Sequence, residues 1–377
     1  MFLLHNGGEA IGKLQLVQTV FRHGDRTPDD FSRFRTNFYP NNPYTPRDHH
    51  PIPAGALTNI GKARSYELGR FYRQAYGKWL GSENAVKFFA SMVPRTTVTA
   101  RLVATGLFPS DPDEKWSESL QLRQIPIHAA RNAEESWFYF AAAGLCNNSR
   151  RMQRIVEKTE PAVVKYLEEN KKFYEYISRH AGYNGTYELA YFLYVALLTQ
   201  WEVGLKPPKW SEGIFPEGKL KDEAPMVFVI QGFTDELKKF GGAKSYSLFP
   251  SPKFFSQGLW LKMWLENIDK YLKNKGADKK LIAWSGHDQN IGSLLVSLDN
   301  FDEPHLPDYN SAIILELHEI KQQYYVKILY KRNGEADPLR VLGCPDILCP
   351  LEIFRNETAS IIPRGNATEI CETVLTL

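Results

Sequence analysis

Hydrophobic positions in the N-terminal third of the chain switch between strand-like and helix-like spacing. Residues Leu14–Phe21 (LQLVQTVF) form a short apolar, β-branched run that is typical of a buried strand. From about Thr58, the predicted N-cap, to Tyr76, apolar residues recur at helical spacing. A second strand at Ala85–Ala90 precedes another helix that ends near Pro109. This order of elements predicts an α/β domain.

The pattern changes at about residue 127. From there to residue 250, helical patterns dominate and strand-like runs are rare. We therefore predict that residues 127–250 are an inserted, mainly α-helical cap domain. Residues 12–126 and 251–377 are predicted to form an α/β core, with a mostly parallel sheet and helices on both of its faces.

The second part of the predicted core repeats the alternation. Its elements are a helix at Lys253–Lys273, a strand at Lys280–Trp284 and a helix that ends at Leu298. Ala312–Leu317 and Tyr324–Tyr330 then predict a closing hairpin.

Composition and charge exclude several classes of protein. The 377 residues are 43% hydrophobic, which supports a substantial core and excludes a disordered chain. The formal net charge of +3 is too small for nucleic acid or an anionic membrane to be the main partner. The longest apolar stretches, near Trp137–Cys146 and Leu189–Leu198, have about half of the roughly 20 residues that span a membrane. No membrane span is predicted, and Met1–Leu4 is too short an apolar run for a signal peptide.

The cysteines and the glycosylation motifs are indicators of the cellular compartment in which the protein functions. The spacing of the four cysteines fits neither a zinc site nor a thioredoxin-type redox motif, so they are either buried thiols or two disulfides. They are Cys146, Cys344, Cys349 and Cys371. Four acceptor motifs for N-glycosylation weakly favour secretion. Their asparagines are Asn147, Asn184, Asn356 and Asn366.

Three charged segments follow predicted strands. Arg22-His23-Gly24-Asp25-Arg26-Thr27-Pro28 follows the first strand, Arg95 the second, and His287-Asp288 the strand near the C-terminus. A chance match to Arg-His-Gly-x-Arg-x-Pro has a probability on the order of 10⁻⁴ in a chain of this length. Ligands of open α/β sheets bind at the carboxyl ends of the strands, so we expect the three segments to converge.

The residue types in these segments suit a phosphate monoester. Guanidinium groups bind phosphate oxygens in a planar, bidentate geometry, and Arg22 and Arg26 lie on either side of His23. A neutral imidazole can attack phosphorus and form a phosphohistidine, so His23 is the candidate nucleophile. Asp288 is the candidate proton donor, which requires either a raised pKa or an acidic working pH. The predicted chemistry needs no metal ion or other cofactor.

Structural interpretations compete with these roles. Arg22 and Arg26 can form a salt-bridged turn, and we expect Asp25 to pair with a neighbouring arginine and hold the loop. Tyr191 is interpreted as ordinary helix packing, together with Phe192 and Tyr194. The pair His49-His50 has no evident third metal ligand and is assigned to a solvated loop.

The motifs resemble the histidine acid phosphatase family, a branch of the histidine phosphatase superfamily, over most of the chain. The resemblance is to animal secreted, lysosomal and prostatic-type enzymes, including insect secreted forms. It rests on the RHGxRxP motif, on the distant His287-Asp288, on RTTVTARLVATGLFP from Arg95, and on the segment Gly343–Leu351. It implies that His23 is phosphorylated and that Asp288 donates the proton. The residues that it implies for phosphate binding are Arg22, Arg26, Arg95 and His287.

The resemblance also implies features outside the site. It implies the disulfides Cys344–Cys349 and Cys146–Cys371, an α/β core with a helical cap, and often a homodimer. A third disulfide of vertebrate relatives is not expected, since Ala312 occupies the position of one of its cysteines. The segment Ser91–Pro94 lacks an acidic residue that the family often has there, which puts local specificity in question.

Three functions are compared. The first is a metal-independent acid phosphatase, secreted or lysosomal, that acts on small phosphate monoesters or phosphoproteins. The alternative is a secreted small-ligand-binding protein on the same scaffold, with vestigial catalysis. An inositol-polyphosphate hydrolase of the same superfamily is less favoured, since it predicts a pocket with more Lys and Arg. The full set of His23, three arginines and His287-Asp288 favours the enzyme.

Overall fold

The structure is a computed structural model that describes residues 12–33, 36–110, 125–131, 154–232, 258–274, 279–332, 334–341 and 343–362. Its strands are β1 (Lys13–Arg22), β2 (Val86–Ala90), β3 (Ile127–Ala129), β4 (Leu281–Gly286), β5 (Ala312–Ile320), β6 (Gln323–Arg332), β7 (Glu335–Leu339) and β8 (Cys349–Pro350). Its helices are α1 (Asn59–Leu80), α2 (Pro94–Leu107), α3 (Pro161–Glu169), α4 (Lys171–Ala181), α5 (Tyr187–Glu202), α6 (Lys219–Glu223), α7 (Met226–Gly232), α8 (Gly258–Lys273), α9 (Asp288–Ser297) and α10 (Leu351–Thr358).

The strands form one mixed sheet in the order β3-β2-β4-β1-β5-β6-β7, and β8 pairs with β6. Neighbouring strands from β3 to β1 are parallel, whereas β5, β6 and β7 are antiparallel to their neighbours. The α/β class is confirmed, and the sheet contains more antiparallel pairing than the mostly parallel core predicted from the sequence. The β5–β6 hairpin explains part of this difference. Its turn residues Lys321 and Gln322 both have positive φ, the conformation that joins antiparallel strands tightly.

Strand β1 is buried on both faces, as its continuous apolar run predicts. Val17 and Phe21 pack in a cluster that contains Leu68 of α1 and Val103 of α2. On the opposite face, Leu16 and Val20 belong to a larger cluster. That cluster includes residues of α5, α8 and α9. Helices therefore cover both faces of the sheet, and only the ends of the central strands are left for a polar site.

Several predicted elements are confirmed. Helix α1 begins where expected, because the Thr58 hydroxyl accepts a hydrogen bond from Gly61 N at 3.1 Å and caps the helix. The predicted hairpin forms from β5 and β6.

The predicted cap begins inside the sheet. Residues 127–129 form β3, which pairs in parallel with β2, so the core extends beyond residue 126. The described part of the remaining segment, residues 154–232, consists of helices and turns. The division into core and cap domains stays a prediction.

Candidate active site

The register of three parallel strands gathers the charged segments at one edge of the sheet. Arg22 at the end of β1 pairs with Gly286 at the end of β4, and Ser285 of β4 pairs with Ala90 at the end of β2. The next residues along the chain are His23, His287 and, after a short turn, the start of α2. The convergence expected from the sequence is a consequence of this register.

The loop after β1 is held against α1 by a close backbone approach. His23 N donates to Gly286 O at 3.0 Å, and Gly24 N donates to the Thr99 hydroxyl at 3.2 Å. A Cβ atom on Gly24 would lie 2.4 Å from the carbonyl oxygen of Gly61. Glycine at position 24 therefore lets the loop approach α1, which fixes the backbone on which His23 is mounted.

The imidazole of His23 is buried and held in one orientation. Its Nδ1 lies 2.8 Å from the carbonyl oxygen of Gly24. A carbonyl can only accept, so in the neutral ring Nδ1 carries the proton and Nε2 keeps its lone pair. Burial, together with the charges of Arg95 and Arg22, holds the pKa of His23 well below its usual value. The lowered pKa favours the neutral ring, in which Nε2 keeps its lone pair.

Arg22 links the two charged segments. Its guanidinium forms a 3.0 Å ion pair with Asp288 and donates to Pro307 O at 2.6 Å. The Tyr309 ring lies 4.1 Å from the Arg22 guanidinium carbon and 6.0 Å, between ring centroids, from His23. Tyr309 thus packs against both groups.

Arg26 and Arg95 meet at one carboxylate. Asp29 accepts from Arg26 at 2.9 Å through Oδ2 and from Arg95 at 3.2 Å through Oδ1. Burial raises the pKa of Asp29, but the two guanidinium charges outweigh it and the pKa lies below its usual value. Burial and the charge of Arg26 lower the pKa of Arg95 to about 10, so it still carries its charge.

The three arginines share a further feature. Each has a buried Nε that finds no hydrogen-bond partner among the described residues; these belong to Arg22, Arg26 and Arg95. A buried N–H without a partner is costly, so native proteins rarely keep one without a use. Oxygen atoms of a bound anion can satisfy all three donors.

His287 lies beside His23, with 5.5 Å between the ring centroids. Its Nε2 is 3.0 Å from the Ser91 hydroxyl, which is 2.9 Å from the Thr96 hydroxyl. Burial and the charge of Arg95 lower the pKa of His287 to about 3. Ser91 belongs to the segment Ser91–Pro94, which lacks the acidic residue that the family often has there. Its hydroxyl orients the neutral imidazole of His287 by a hydrogen bond and forms no ion pair with it.

Asp288 begins α9 and is buried. Its Oδ1 accepts from the Tyr191 hydroxyl at 2.9 Å and from Gln289 N at 2.8 Å. Burial alone raises the pKa of Asp288, but the charge of Arg22 and the hydrogen bond from Tyr191 help to bring it below its usual value. As a proton donor, Asp288 requires either a raised pKa or an acidic working pH. The free protein does not raise the pKa of Asp288, so the first condition is not met.

Sequence reasoning missed several residues of the site. Tyr191 packs in the helical core as predicted, but its hydroxyl also binds Asp288, which the sequence did not indicate. Asp29 directly follows the motif, and its acidic type was an available signal, whereas nothing in the sequence marked Tyr309. Asp25 does pair with an arginine, but the partner is Arg64 of α1 at 2.6 Å.

Other predictions have mixed outcomes. The Cys344–Cys349 disulfide is present, with 5.3 Å between the Cα atoms. Asn184 and Asn356 are exposed, as glycosylation would require. Four predicted residues lie outside the described ranges, namely Cys146, Cys371, Asn147 and Asn366.

No group of three or more His, Cys, Asp or Glu side chains within the described ranges is arranged to hold a metal ion. None of the helices there has both the length and the apolar composition needed to cross a membrane.

The chain is similar to acid phosphatases along most of its length. The chain is 32% identical over 367 residues to the venom acid phosphatase Acph-1 of Apis mellifera, covering 96% of this chain and 88% of that protein. It is 27% identical over 375 residues to prostatic acid phosphatase of Bos taurus, covering 97% and 89%. It is 26% identical over 365 residues to lysosomal acid phosphatase of Homo sapiens, covering 93% and 78%.

Solved structures support the fold. The apo form of Hafnia alvei phytase matches with a TM-score of 0.63 at 17% sequence identity, covering 95% of this chain and 98% of that one. The family profile described as histidine phosphatase superfamily (branch 2) matches residues 13–189. With the extended similarity to the bee venom enzyme, this match places the chain in a known family: it belongs to branch 2 of the histidine phosphatase superfamily.

Proposed function

We propose that this protein is an acid phosphatase that hydrolyses phosphate monoesters through a phosphohistidine on His23. One observation carries the proposal: a buried, neutral imidazole whose Nε2 keeps its lone pair lies among three guanidinium groups whose Nε atoms find no partner within the described residues. Arg22, Arg26, Arg95 and His287 bind the phosphate oxygens. Guanidinium charge stabilises the equatorial oxygens of the transferring group, so the mechanism requires no metal ion.

The reaction takes two displacement steps. In the first, His23 Nε2 donates its electron pair to phosphorus while the ester P–O bond breaks, and Asp288 transfers its proton to the departing alcohol oxygen. In the second, water attacks the phosphohistidine and the P–N bond breaks. The Asp288 carboxylate takes the water proton, so inorganic phosphate leaves and both residues return to their starting states.

The electrostatics of Asp288 support an acidic working range. Its pKa lies below the usual value in the free protein, so the protonated fraction that can serve as a donor grows as the pH falls. A bound phosphate offsets the charge of Arg22 and the other guanidinium groups, which raises the proton affinity of Asp288 in the complex. His23 stays neutral in the same range, because its own pKa is low.

The binding-protein alternative is not favoured. Binding an anion needs the arginines, but it does not need a nucleophile with one free nitrogen or a carboxyl group beside it. His23 and Asp288 have both features, with hydrogen bonds that fix their orientations. The relatives named above also support an enzyme.

The compartment and partners are further parts of the proposal. Venom, prostatic and lysosomal relatives support a secreted or lysosomal location, as do the disulfide and the exposed sequons. Small phosphate monoesters are the proposed substrates. Phosphoprotein substrates and a homodimer are suggested only by the family resemblance.

The test is hydrolysis of p-nitrophenyl phosphate between pH 3 and pH 8 in the presence of EDTA. We expect activity in acid that survives chelation and falls by a factor of about 10³ or more in His23→Ala. His128→Ala, which changes an exposed histidine of β3, is the matched control and should retain full activity. Activity that survives in His23→Ala would rule out His23 as nucleophile, and an inactive unmodified protein would favour the binding protein.

A further inference from the structure

A cavity of about 190 Å³ adjoins the candidate phosphate site. It is formed mainly by the loop that follows the motif, together with Gln200 of α5. Asp29 lines this cavity, and the same carboxylate binds Arg26 and Arg95. A phosphate held by those arginines would therefore lie beside the cavity.

The ionised groups of the cavity are carboxylates, and its other polar side chains are hydroxyls, amides and one imidazole, that of His49. Asp29 and Asp30 contribute two carboxylates, and none of the described lining residues is Lys or Arg. The cavity also contains the rings of Phe31, Tyr39 and Tyr44. Carboxylates and aromatic faces both attract cations, whereas an additional anionic group in this space would be repelled.

Gln200 gives an independent indication of the ligand. Its side chain is 1% exposed, and its Oε1 finds no hydrogen-bond partner among the described residues. The orientation of the amide is fixed at the other end, where Nε2 donates to Asn42 Oδ1 at 3.0 Å. Asn42 Oδ1 also accepts from Tyr44 N at 3.1 Å, so it acts as an acceptor and Gln200 must direct its amino group toward it. The buried Gln200 oxygen is thus an acceptor that a donor group in the cavity would satisfy.

We propose that this cavity binds the alcohol part of the substrate and selects phosphate esters of alcohols that carry an ammonium group. Asp29 is the specificity-determining residue, since it lines the cavity and also binds Arg26 and Arg95 of the phosphate site. Esters whose alcohol carries a carboxylate or a further phosphate are disfavoured. The volume suits a small group, as it lies below the roughly 300–1,000 Å³ of pockets for drug-sized ligands. This inference rests on the proposed phosphatase function and adds its substrate class.

The test compares three phosphate esters of similar size. These are O-phosphoethanolamine, with an ammonium group, ethyl phosphate, with a neutral alcohol, and 2-phosphoglycolate, with a carboxylate. We expect kcat/KM to decrease in that order for the unmodified protein, by a factor of about ten or more from first to last. Asp29→Asn should reduce the ratio of the first value to the last by about tenfold, mainly through KM.

Two further variants distinguish a loss of substrate selection from a general loss of activity. Gln200→Met removes the unpaired acceptor without adding charge, so it should lower kcat/KM for O-phosphoethanolamine several-fold more than for ethyl phosphate. Glu67→Gln removes an exposed carboxylate of α1 that pairs with Arg70, far along the chain from the cavity residues. It should leave all three values and their ratios unchanged.

The possible results are distinct. If Asp29→Asn loses activity equally on all three esters, Asp29 only positions the arginines and the proposal of selection is overturned. An unmodified protein that hydrolyses 2-phosphoglycolate as well as O-phosphoethanolamine also overturns it, while leaving the phosphatase function intact. Absence of turnover on every ester, p-nitrophenyl phosphate included, would refute the proposed function itself.

Discussion

The hydroxyl of Tyr191 donates a 2.9 Å hydrogen bond to the carboxylate of Asp288. Tyr191 lies on α5, in the predicted helical insertion, and Asp288 begins α9 at the end of a core strand. The candidate proton donor is thus held from two sides, by Arg22 of the core and by Tyr191 of α5. Both contacts favour the ionised carboxylate, which makes the protonation of Asp288 sensitive to either residue.

Tyr191→Phe should extend activity toward higher pH. Without the hydroxyl, the carboxylate loses one stabilising hydrogen bond, so the pKa of Asp288 rises. A proton donor loses activity as the pH rises through its pKa, and a higher pKa therefore moves the alkaline limb of the kcat profile upward. We expect a shift of about 0.5–1 pH unit. Tyr194→Phe on the same helix is the control, and a limb that moves downward in Tyr191→Phe would contradict the assignment.

Asp288→Asn should decrease kcat by an amount that depends on the leaving group of the substrate. Ethoxide must be protonated as it departs, whereas p-nitrophenolate is a stable anion that leaves without help. We expect kcat to fall about a hundredfold or more for ethyl phosphate and less than about tenfold for p-nitrophenyl phosphate. Steady-state kinetics on both esters with one preparation removes any effect of partial unfolding. Equal losses would argue that Asp288 acts only by holding Arg22.

Gly24→Ala should destabilise the protein and reduce its activity. The new methyl group would lie 2.4 Å from Gly61 O, a backbone atom of α1 that cannot move alone. Forced overpacking of this kind costs about 1–3 kcal/mol of unfolding free energy. Urea denaturation measures the loss.

Gly77→Ala, at a half-buried position of α1, is the matched control. The nearest atom to its new methyl group is Arg73 Cγ at 3.2 Å, part of a flexible side chain. Alanine is the better helix former, so unfolding free energy should be unchanged or rise by up to about 1 kcal/mol. A Gly24→Ala protein as stable as Gly77→Ala would contradict the close approach.

The buried histidines should make the fold less stable in acid. The pKa of His287 is about 3 in the folded protein and near 6.5 in an unfolded chain. Between these values the unfolded chain binds a proton that the folded protein does not, so stability falls as the pH decreases from about 6.5. The slope approaches about 1.4 kcal/mol per pH unit for one such group, and His23 adds in the same direction.

His287→Asn should remove much of the pH dependence that His287 contributes to the unfolding free energy. Urea denaturation at pH 6.0, 5.25 and 4.5, in buffers without phosphate, gives the slope for each protein. We expect the unfolding free energy of His287→Asn to depend less steeply on pH, by about 1 kcal/mol per unit. Identical slopes for the two proteins would show that His287 titrates alike in the folded and unfolded states.

Local sequence patterns were sufficient for much of the fold. The spacing of apolar residues located β1 and α1, and Thr58 was recognisable as an N-cap because its hydroxyl acts within one turn of helix. These features depend on neighbours a few residues apart. Strand β3 was not predicted, because its three residues are too few for a periodic pattern.

Contacts between distant side chains could not be predicted in the same way. Asp25 had two arginines beside it in the sequence, yet its partner is Arg64, which the packing of α1 brings to the loop. Arg26 instead binds Asp29, together with Arg95 from α2. Which acid meets which base depends on where the backbone places them, and several pairings are equally compatible with the sequence.

The sequence by itself determined the chemical groups and the strand ends at which they stand: two imidazoles, three guanidiniums and a carboxyl group, in segments that each follow an apolar run. The tertiary structure decided their distances, their hydrogen-bond partners and their protonation states. These properties depend on burial and on charges from remote parts of the chain. Burial and the arginine charges lower the pKa values of His23 and His287, whereas the pKa of Asp288 is lowered by nearby charges against the effect of burial. A local pattern contains no information about that shared environment, because folding creates it.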